Sequence, residues 1–364
     1  MFIDDFVKQE GWEEKISSAP YNIKVSRLNG YIMLKYSQID SDFSNEEVQQ
    51  CRGIVFRESD MRCVCRPFNK FFNYGEPNAA RINWGAETLK VLEKIDGSLI
   101  KVWYDEVWHI STNGSINAFA AAVGGASTKS YGDLFMEYIE NVGFDIYSLD
   151  KEYTHLFEVV SPLTRVVVPY EKLEVYYLTS IRTEDGAEFM DREKMEGVLS
   201  LPYELEIGSL KELVEVVSDM DWTHEGFVVW DGQNRIKVKS PAYVKAHYAR
   251  NNGNVSWETL VNVVLSHEED EFLTYAPEWA GHIEAIHEKM KDAADRAREY
   301  RGIFNLLCNR ERKEFASQVI QFVLPKYQSF LFSMYDGKVY DWNDFVKDWD
   351  SKKWVHFLEL RKGW

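Results

Sequence analysis

The chain has 364 residues, 45% of them hydrophobic and 15% aromatic, which is enough apolar side chain to build folded cores and excludes an intrinsically disordered protein. The formal net charge of −17 argues against a general nucleic-acid coat protein, because such proteins present a basic surface. An enzyme that acts on phosphates stays open, since it needs only a few lysines and arginines gathered in one cleft.

The sequence also bears on the compartment in which the protein works. Asp4 and Asp5 stand where a secretory signal would carry basic residues, and no apolar run is long enough to cross a bilayer. The four cysteines and eight histidines form neither a disulfide framework nor a zinc-ligand spacing. We expect a soluble cytoplasmic protein with reduced thiols and no membrane contact.

From about residue 20 to 245 the sequence is typical of a strand-rich α+β domain. Short β-branched and aromatic runs recur between Gly, Asn and Asp residues, and they predict strands at 53–56, 99–104, 157–160, 175–178, 227–230 and 236–239. The tetrapeptide Asp231-Gly232-Gln233-Asn234 predicts a hairpin turn between the last two. Because no regular helices separate the runs, antiparallel sheets are favoured over a doubly wound fold.

Beyond the polar segment 251–254 the pattern becomes helical. Apolar residues recur at helical spacing with charges between them: Ile283, Ile286, Met290, Ala293, Ala294, Ala297 and Tyr300. Phe315, Val319 and Phe322 repeat the pattern as far as Pro325, which we expect to end that helix. Residues 342–364 alternate aromatic and charged residues, again in a helical pattern. We therefore predict two domains, residues 1–250 and 251–364, the second all-helical.

The segment with the clearest chemical meaning is Lys94-Ile95-Asp96-Gly97-Ser98, which a predicted strand follows directly. A lysine amine attacks phosphorus once it is deprotonated, a state that nearby cations and a metal-bound phosphate favour. Glycine permits a tight turn in which the backbone approaches a ligand closely. Taken alone, the segment fits a surface turn with a lysine equally well.

Further charged residues lie among the predicted strands. Glu158 and Glu225 each lie in an apolar segment, and a buried acid costs free energy unless it is paired or metal-bound. Lys237 and Lys239 share one face of a strand, because strand side chains repeat every two residues. Two more cations lie near apolar runs, Arg52 and Lys70. One acid in a strand is usually an edge residue that faces water. Two acids together with these lysines and the arginine, in this order along the chain, indicate a functional site.

Together these segments resemble motifs of the covalent nucleotidyltransferase superfamily, which contains RNA ligases, DNA ligases and mRNA capping enzymes. Motifs I, III, IV and V correspond to Lys94-Ile95-Asp96-Gly97-Ser98, Phe157-Glu158-Val159-Val160, Glu225-Gly226-Phe227-Val228 and Lys237-Val238-Lys239. The segments 52–56, 70–73 and 162–167 resemble the phage tRNA-repair ligases of the RNA ligase 1 family. The resemblance covers about residues 30 to 250. It implies an α+β protein with an antiparallel-sheet, ATP-grasp-like nucleotidyltransferase domain, followed by an all-helical domain that selects the RNA.

The resemblance implies a role for each residue that binds the nucleotide. Lys94 would be the catalytic nucleophile and carry AMP through a phosphoramidate bond. Arg52 and Lys70 would hold the β- and γ-phosphates of ATP, and Lys237 and Lys239 would contact the α-phosphate. The remaining nucleotide-binding residues would be Tyr36, Glu93, Glu158 and Glu225.

The resemblance also implies a magnesium site. Glu158 and Glu225 would serve both the ribose and Mg²⁺, with Asp96 as a further oxygen ligand. The family has a metal-binding acidic pair whose counterpart here would be Glu269 and Asp270, in the stretch 268–271. A charge run of this kind is equally typical of a solvated helix end.

One position departs from the family pattern. In the strand after motif I the family often has a lysine before a glycine, whereas this chain has Asn113 before Gly114. A charged contact to the nucleotide or to RNA is thus lost, or it is supplied by Lys101 or another group. Asn-Gly is also a common turn sequence, and the sequence leaves these interpretations open.

The resemblance implies an ATP-dependent RNA ligase that joins 3′-hydroxyl and 5′-phosphate ends through lysyl-AMP and an adenylated RNA end, with Mg²⁺. Nicked tRNA would be its substrate, in the cytoplasm of a bacteriophage host, and a separate kinase-phosphatase would heal the ends first. A DNA ligase or capping-type enzyme is the nearest alternative, although those append a β-barrel where this chain is helical. A non-catalytic RNA-binding protein on the same fold is the other; the intact Lys94, Lys237 and Lys239 argue against it.

Overall fold

The computed structural model describes residues 2–37, 40–123, 127–248 and 255–360, so the predicted boundary segment 251–254 and the basic pair Arg361 and Lys362 lie outside it. The chain forms two compact units, Met1–His247 and Tyr248–Trp364. In the described ranges we find no helix that combines the length and the apolar character needed to cross a membrane.

The first unit is built from strands, with short helices around them. In chain order the strands are β1 (Ile23–Leu28), β2 (Tyr31–Tyr36), β3 (Arg52–Arg57), β4 (Cys63–Cys65), β5 (Phe72–Asn73), β6 (Lys90–Glu93), β7 (Ser98–Asp105), β8 (Val107–Thr112), β9 (Tyr153–Val160), β10 (Glu174–Arg182), β11 (Glu188–Phe189), β12 (Gly226–Trp230) and β13 (Arg235–Lys239). The predicted strands and the hairpin turn at 231–234 are thereby confirmed.

These strands form three sheets. Their orders are β1-β2-β3-β4, β11-β10-β9-β7-β8 and β5-β13-β12-β6. Neighbouring strands run antiparallel, except for the short parallel pair β5 and β13. The antiparallel α+β fold predicted from the sequence is therefore confirmed. Because β6 and β7 belong to different sheets, the motif I segment between them crosses from one sheet to the other.

Helices cover the sheets of the first unit. They are α1 (Ile3–Phe6), α2 (Trp12–Ser17), α3 (Glu46–Gln50), α4 (Tyr131–Val142), α5 (Arg192–Met195), α6 (Leu210–Ser218) and α7 (Pro241–Tyr248). The longest of these, α4, begins with a capping box in which Ser130 and Asp133 satisfy each other's backbone N–H groups. Its Phe135 packs against Phe157 of β9, so the five-stranded sheet has its core on this face.

The described part of the second unit contains helices and no strand. They are α8 (Trp257–Leu265), α9 (Glu269–Tyr275), α10 (Ala280–Leu307), α11 (Arg312–Phe322), α12 (Pro325–Tyr335), α13 (Trp342–Val346) and α14 (Ser351–Phe357). The apolar positions predicted along α10 face one core, with Ile286 and Ala297 fully buried. A helical second region is therefore confirmed.

One detail of the helical prediction is confirmed and another is wrong. Helix α11 ends at Phe322, before Pro325, which occupies the first turn of α12, where its missing N–H costs nothing. Phe322 was expected on the apolar stripe of α11, yet it is 57% exposed, because α11 ends at that residue.

Candidate active site

The position of Lys94 is set by backbone contacts on both sides. Its N–H donates to the Gly226 carbonyl over 2.8 Å, which joins the end of β6 to the start of β12. A Cβ on Gly97 would lie 2.5 Å from the Val159 carbonyl oxygen, so the turn packs on β9 only with glycine at this position. The lysine thus sits at the junction of two sheets.

Asp96 holds this junction together. Its Oδ2 accepts hydrogen bonds of 2.8 Å from the N–H groups of Val167 and Val168, and its Oδ1 accepts one of 2.8 Å from the Tyr243 hydroxyl. Both carboxylate oxygens are therefore engaged with protein groups. Asp96 serves as a structural anchor, and its role as a magnesium ligand stays a prediction.

Glu225 links the nucleophile to a second lysine. Its Oε2 lies 2.8 Å from Lys94 Nζ, and its Oε1 lies 3.3 Å from Lys239 Nζ. Burial alone would raise the pKa of Glu225, but the charges of Lys94 and Lys239 outweigh that effect and lower it. The sequence suggested that Glu225 lies inside an apolar strand, but it directly precedes β12.

A glycine makes this pairing possible. Gly226 has φ +129°, and a Cβ there would lie 2.1 Å from the Val238 carbonyl oxygen, so only glycine lets β12 approach β13 this closely. Gly226 pairs with Lys239 in the antiparallel register, which places the lysine beside Glu225.

One cavity of about 300 Å³ brings together almost all of the predicted nucleotide-binding residues. Charged and aromatic groups at its wall are Tyr36, Arg52, Lys70, Glu93, Lys94, Glu158, Lys237 and Lys239; apolar groups are Phe71, Leu99, Leu178 and Val228. Glu225 takes part through its contacts to the two lysines. A cavity lined by both cations and apolar side chains can hold the phosphates and the nucleobase of a nucleotide.

Arg52 and Asn113 each present a buried polar atom to this region. Arg52 Nη1 and Asn113 Oδ1 have no hydrogen-bond partner among the described residues, and both side chains line the cavity. Such atoms are costly unless a ligand or water completes them. A phosphate oxygen fits the arginine nitrogen, and this supports a nucleotide as the occupant.

Lys101 does not replace the lysine that the family has at the Asn113 position. Its side chain is fully buried, and its Nζ donates to the Gly53 carbonyl oxygen. Burial lowers the pKa of Lys101. Its amine bonds to the backbone of β3 and does not line the cavity. Lys101 therefore does not supply the charged contact that the family lysine would make.

Glu158 lies where its protonation state is sensitive to the surroundings. It sits in β9 opposite Leu99 of β7, and it lines the cavity. Burial raises its pKa to about 7, against the opposing charges of Lys94 and Arg52. The carboxyl therefore titrates near neutral pH, so its ability to bind a cation or a ribose hydroxyl changes there.

Sequence analysis missed Arg235, which continues the row of Lys237 and Lys239 along one face of β13. Its guanidinium bonds to the Glu188 carboxylate over 2.6 Å and lies 4.4 Å from the centre of the Phe68 ring. The alternation of basic residues in Arg-Ile-Lys-Val-Lys was the signal that could have revealed it.

Glu269 and Asp270 belong to α9 in the second unit. Glu269 Oε1 lies 3.1 Å from His287 Nε2. Across the described ranges, no group of three or more His, Cys, Asp or Glu side chains is arranged to hold a metal ion. A metal role for this pair stays a prediction.

Comparison with known proteins agrees with the site. A family model described as RNA ligase matches residues 50–243, which is more than half of the chain, and the chain belongs to the RNA ligase 1 family. It is 30% identical over 293 residues to a protein described as a bifunctional polynucleotide kinase/RNA ligase from Autographa californica nuclear polyhedrosis virus, with 75% of this chain and 41% of that protein covered.

Two further similarities extend this comparison. An RNA ligase from Rhodothermus phage RM378 is 28% identical, with 61% of this chain and 65% of that protein covered. The chain thus spans less than two thirds of the length of either relative. A solved structure described as an ATP-dependent DNA ligase from Aquifex aeolicus has 14% identity and a TM-score of 0.43, with 77% of this chain and 80% of that chain covered.

Proposed function

We propose that the protein is an ATP-dependent RNA ligase that carries AMP on Lys94. The observation that supports this most directly is the placement of Lys94 Nζ, 2.8 Å from Glu225, at the wall of a cavity lined by Arg52, Lys70 and Lys237. A nucleophilic amine held by a buried carboxylate beside several cations suits attack on a polyphosphate.

In the first step Lys94 Nζ forms a bond to the α-phosphorus of ATP, and the bond from that phosphorus to pyrophosphate breaks. Lys94 Nζ attacks as the neutral amine, after its ammonium proton has passed to solvent, and it gives a second proton to solvent as the phosphoramidate forms. Glu225 orients the amine, while Arg52 and Lys70 hold the β- and γ-phosphates until pyrophosphate leaves. Because phosphoryl transfer needs positioning and charge stabilisation above all, these contacts carry most of the catalysis.

In the later steps AMP passes from Lys94 to the 5′-phosphate of RNA, and a 3′-hydroxyl then attacks that activated phosphate. A 3′,5′-phosphodiester forms and AMP departs. Lys237 and Lys239 share the face of β13 that lines the cavity, and they are proposed to contact the α-phosphate in all three transfers. Lys94 is free of AMP during the last step.

Magnesium fits this site as a companion of ATP. Mg²⁺ is commonly held by one or two carboxylates together with substrate phosphates, and Glu158 lines the cavity while Glu225 lies beside Lys94. When bound, the ion would spread the charge that develops on the phosphates. Glu269 and Asp270 are proposed as a second acidic contribution.

The natural substrate is proposed to be a nicked tRNA, selected by the helical second unit, in the cytoplasm. A relative whose name combines a kinase with a ligase supports the further proposal that a kinase-phosphatase prepares the RNA ends, here as a separate protein. In the described part of the second unit the helices leave Lys352, Lys353 and His356 exposed, and these could contact an RNA backbone.

The test of the proposal is self-adenylation. The protein is incubated with ATP labelled at the α-phosphate, and the label should become attached to the protein through a bond that acid cleaves and alkali does not. Transfer of that label to RNA with a 5′-phosphate, but not to DNA of the same sequence, distinguishes an RNA ligase from a DNA ligase. A protein that binds RNA without acquiring label would be a binding protein on this fold.

A further inference from the structure

A second cavity lies beside the nucleotide cavity in the first unit. Its volume is about 660 Å³. The side chains of Phe68, Lys70, Phe71, Glu188 and Arg235 line both cavities and form the wall between them. A molecule in the second cavity is therefore separated by single side chains from the groups that handle the phosphates.

Carboxamide side chains give this cavity its chemical character. Asn69, Asn78 and Gln233 line it and are exposed, and they come from three separate loops that precede β5, follow β5 and join β12 to β13. A carboxamide donates and accepts hydrogen bonds at once, which matches the edges of nucleobases.

The local charge suits a nucleic acid in spite of the net charge of −17. Two acids line the cavity, and each is neutralised by an arginine: Asp185 by Arg182 over 2.9 Å and Glu188 by Arg235 over 2.6 Å. Neither acid therefore presents an isolated negative charge to a phosphodiester in this cavity.

Aromatic side chains complete the lining. Trp230 and Phe71 are half-buried and line the cavity, and the Arg235 guanidinium lies 5.7 Å from the ring centre of each. Aromatic rings and arginine planes are the surfaces on which unpaired bases stack. The carboxamides, the aromatic rings and the pairing of both acids with arginines together favour a nucleobase over a simple anion.

We propose that the second cavity binds an unpaired ribonucleotide next to the RNA end that is joined. Asn69, Asn78 and Gln233 hold the edge of its base, and its phosphate lies toward Arg235 at the wall between the two cavities. A base in a duplex has its pairing edge occupied, so the site selects single-stranded RNA. The inference rests on the proposed function for the identity of the substrate.

The test is a triple variant, Asn69→Ala, Asn78→Ala and Gln233→Ala, in the full chain. Its control is Asn141→Ala, which removes an exposed carboxamide from α4, at neither cavity. Binding of a fluorescent single-stranded oligoribonucleotide should weaken about tenfold or more in the triple variant, since well-placed carboxamide contacts discriminate by that much. Self-adenylation with ATP and the melting temperature should match the wild type.

The outcomes separate this inference from the proposed function. If the triple variant binds the single strand as tightly as Asn141→Ala does, the inference is overturned, whether or not the enzyme ligates. A raised KM for ATP with unchanged RNA binding would also overturn it, because the cavity would then serve the nucleotide. A wild-type protein that acquires no AMP refutes the proposed function, while the comparison of RNA binding still decides the role of the cavity.

Discussion

The two units bury different kinds of side chain. The first unit buries charged residues, among them Asp96, Lys101 and Glu225, whereas the buried polar residues in the described part of the second unit are Thr259 and Ser351, neither charged. Taking a charge out of water costs on the order of several kcal/mol unless partners compensate. Among the described residues, buried charge therefore distinguishes the first unit, which also contains the candidate active site.

The second unit is stabilised by aromatic packing instead. The Trp342 ring lies 5.4 to 5.7 Å from the rings of Tyr327, Phe330 and Phe357, all of them buried. Trp354 and Phe357 of α14 belong to this core, while Lys352, Lys353 and His356 of the same helix are exposed. The first unit thus has buried charges in its interior, and the described part of the second unit has packed aromatic rings.

The largest expected effect comes from removing the nucleophile. Lys94→Ala should lower self-adenylation by more than about 10³-fold, because it removes the amine that is proposed to attack the α-phosphorus. Joining of pre-adenylated RNA should persist in part, since that step does not need the amine. The measurement is covalent label from α-labelled ATP, with the exposed Lys211→Ala as the control. Stable acid-sensitive label on Lys94→Ala would show that another residue is the nucleophile.

The next largest effect should be confined to self-adenylation, the first of the three steps. Arg52→Ala and Lys70→Ala should reduce self-adenylation by about 10²-fold, because they remove contacts to phosphates that leave with pyrophosphate. Sealing of pre-adenylated RNA should fall much less. Rates of both steps are measured for each variant, and an equal loss in both would place these residues in the AMP or RNA site.

The protonation state of Glu158 should affect both self-adenylation and the free energy of unfolding, so both should depend on pH. Its pKa of about 7 is above the ordinary value of 4.5, so the folded state holds this proton more tightly than the unfolded state does. The contribution of the protonated carboxyl to the free energy of unfolding is therefore lost as pH rises through 7. Glu158→Gln should therefore raise the free energy of unfolding at pH 8 by up to about 3 kcal/mol, with little gain at pH 5. Wild-type self-adenylation should rise through pH 7.

Denaturant unfolding at the two pH values measures this gain, and the exposed Glu137→Gln on α4 serves as the control. A gain that is the same at pH 5 and pH 8 would mean that the carboxylate is not destabilised by burial. Loss of self-adenylation in Glu158→Gln at every pH would separate the need for the carboxylate from its effect on folding.

The smallest effect on labelling should come from removing the second unit. A chain that ends at His247 should acquire AMP within about tenfold of the full chain, because the cavity and its catalytic groups belong to the first unit. A cut near residue 276 is less suitable, since it would expose Leu260, Val261 and Phe272 of the helical core. Preference for nicked tRNA over a simple single strand should be lost. A shortened protein that folds but acquires no AMP would make the helices part of the catalytic unit.

Some of the site could be predicted because its signals are local. Lys94 and Gly97 are only three positions apart in the chain, and the row Lys237 and Lys239 follows from the strand period. Arg235 follows from the same period and was overlooked. Glu269 and Asp270 show the opposite case: a run of acids carries no information about what faces it, so their role stays a prediction.

The sequence by itself determined the strands, the hairpin at 231–234 and the stripe along α10, because hydrophobic period and turn chemistry act over a few residues. Only the tertiary structure decided which distant residues meet. Lys94 and Glu225 are 131 positions apart, and Asp96 and Tyr243 are 147 apart. Such contacts depend on how three sheets pack, which is why the anchoring of Asp96, the burial of Lys101 and the second cavity had no signal in the sequence.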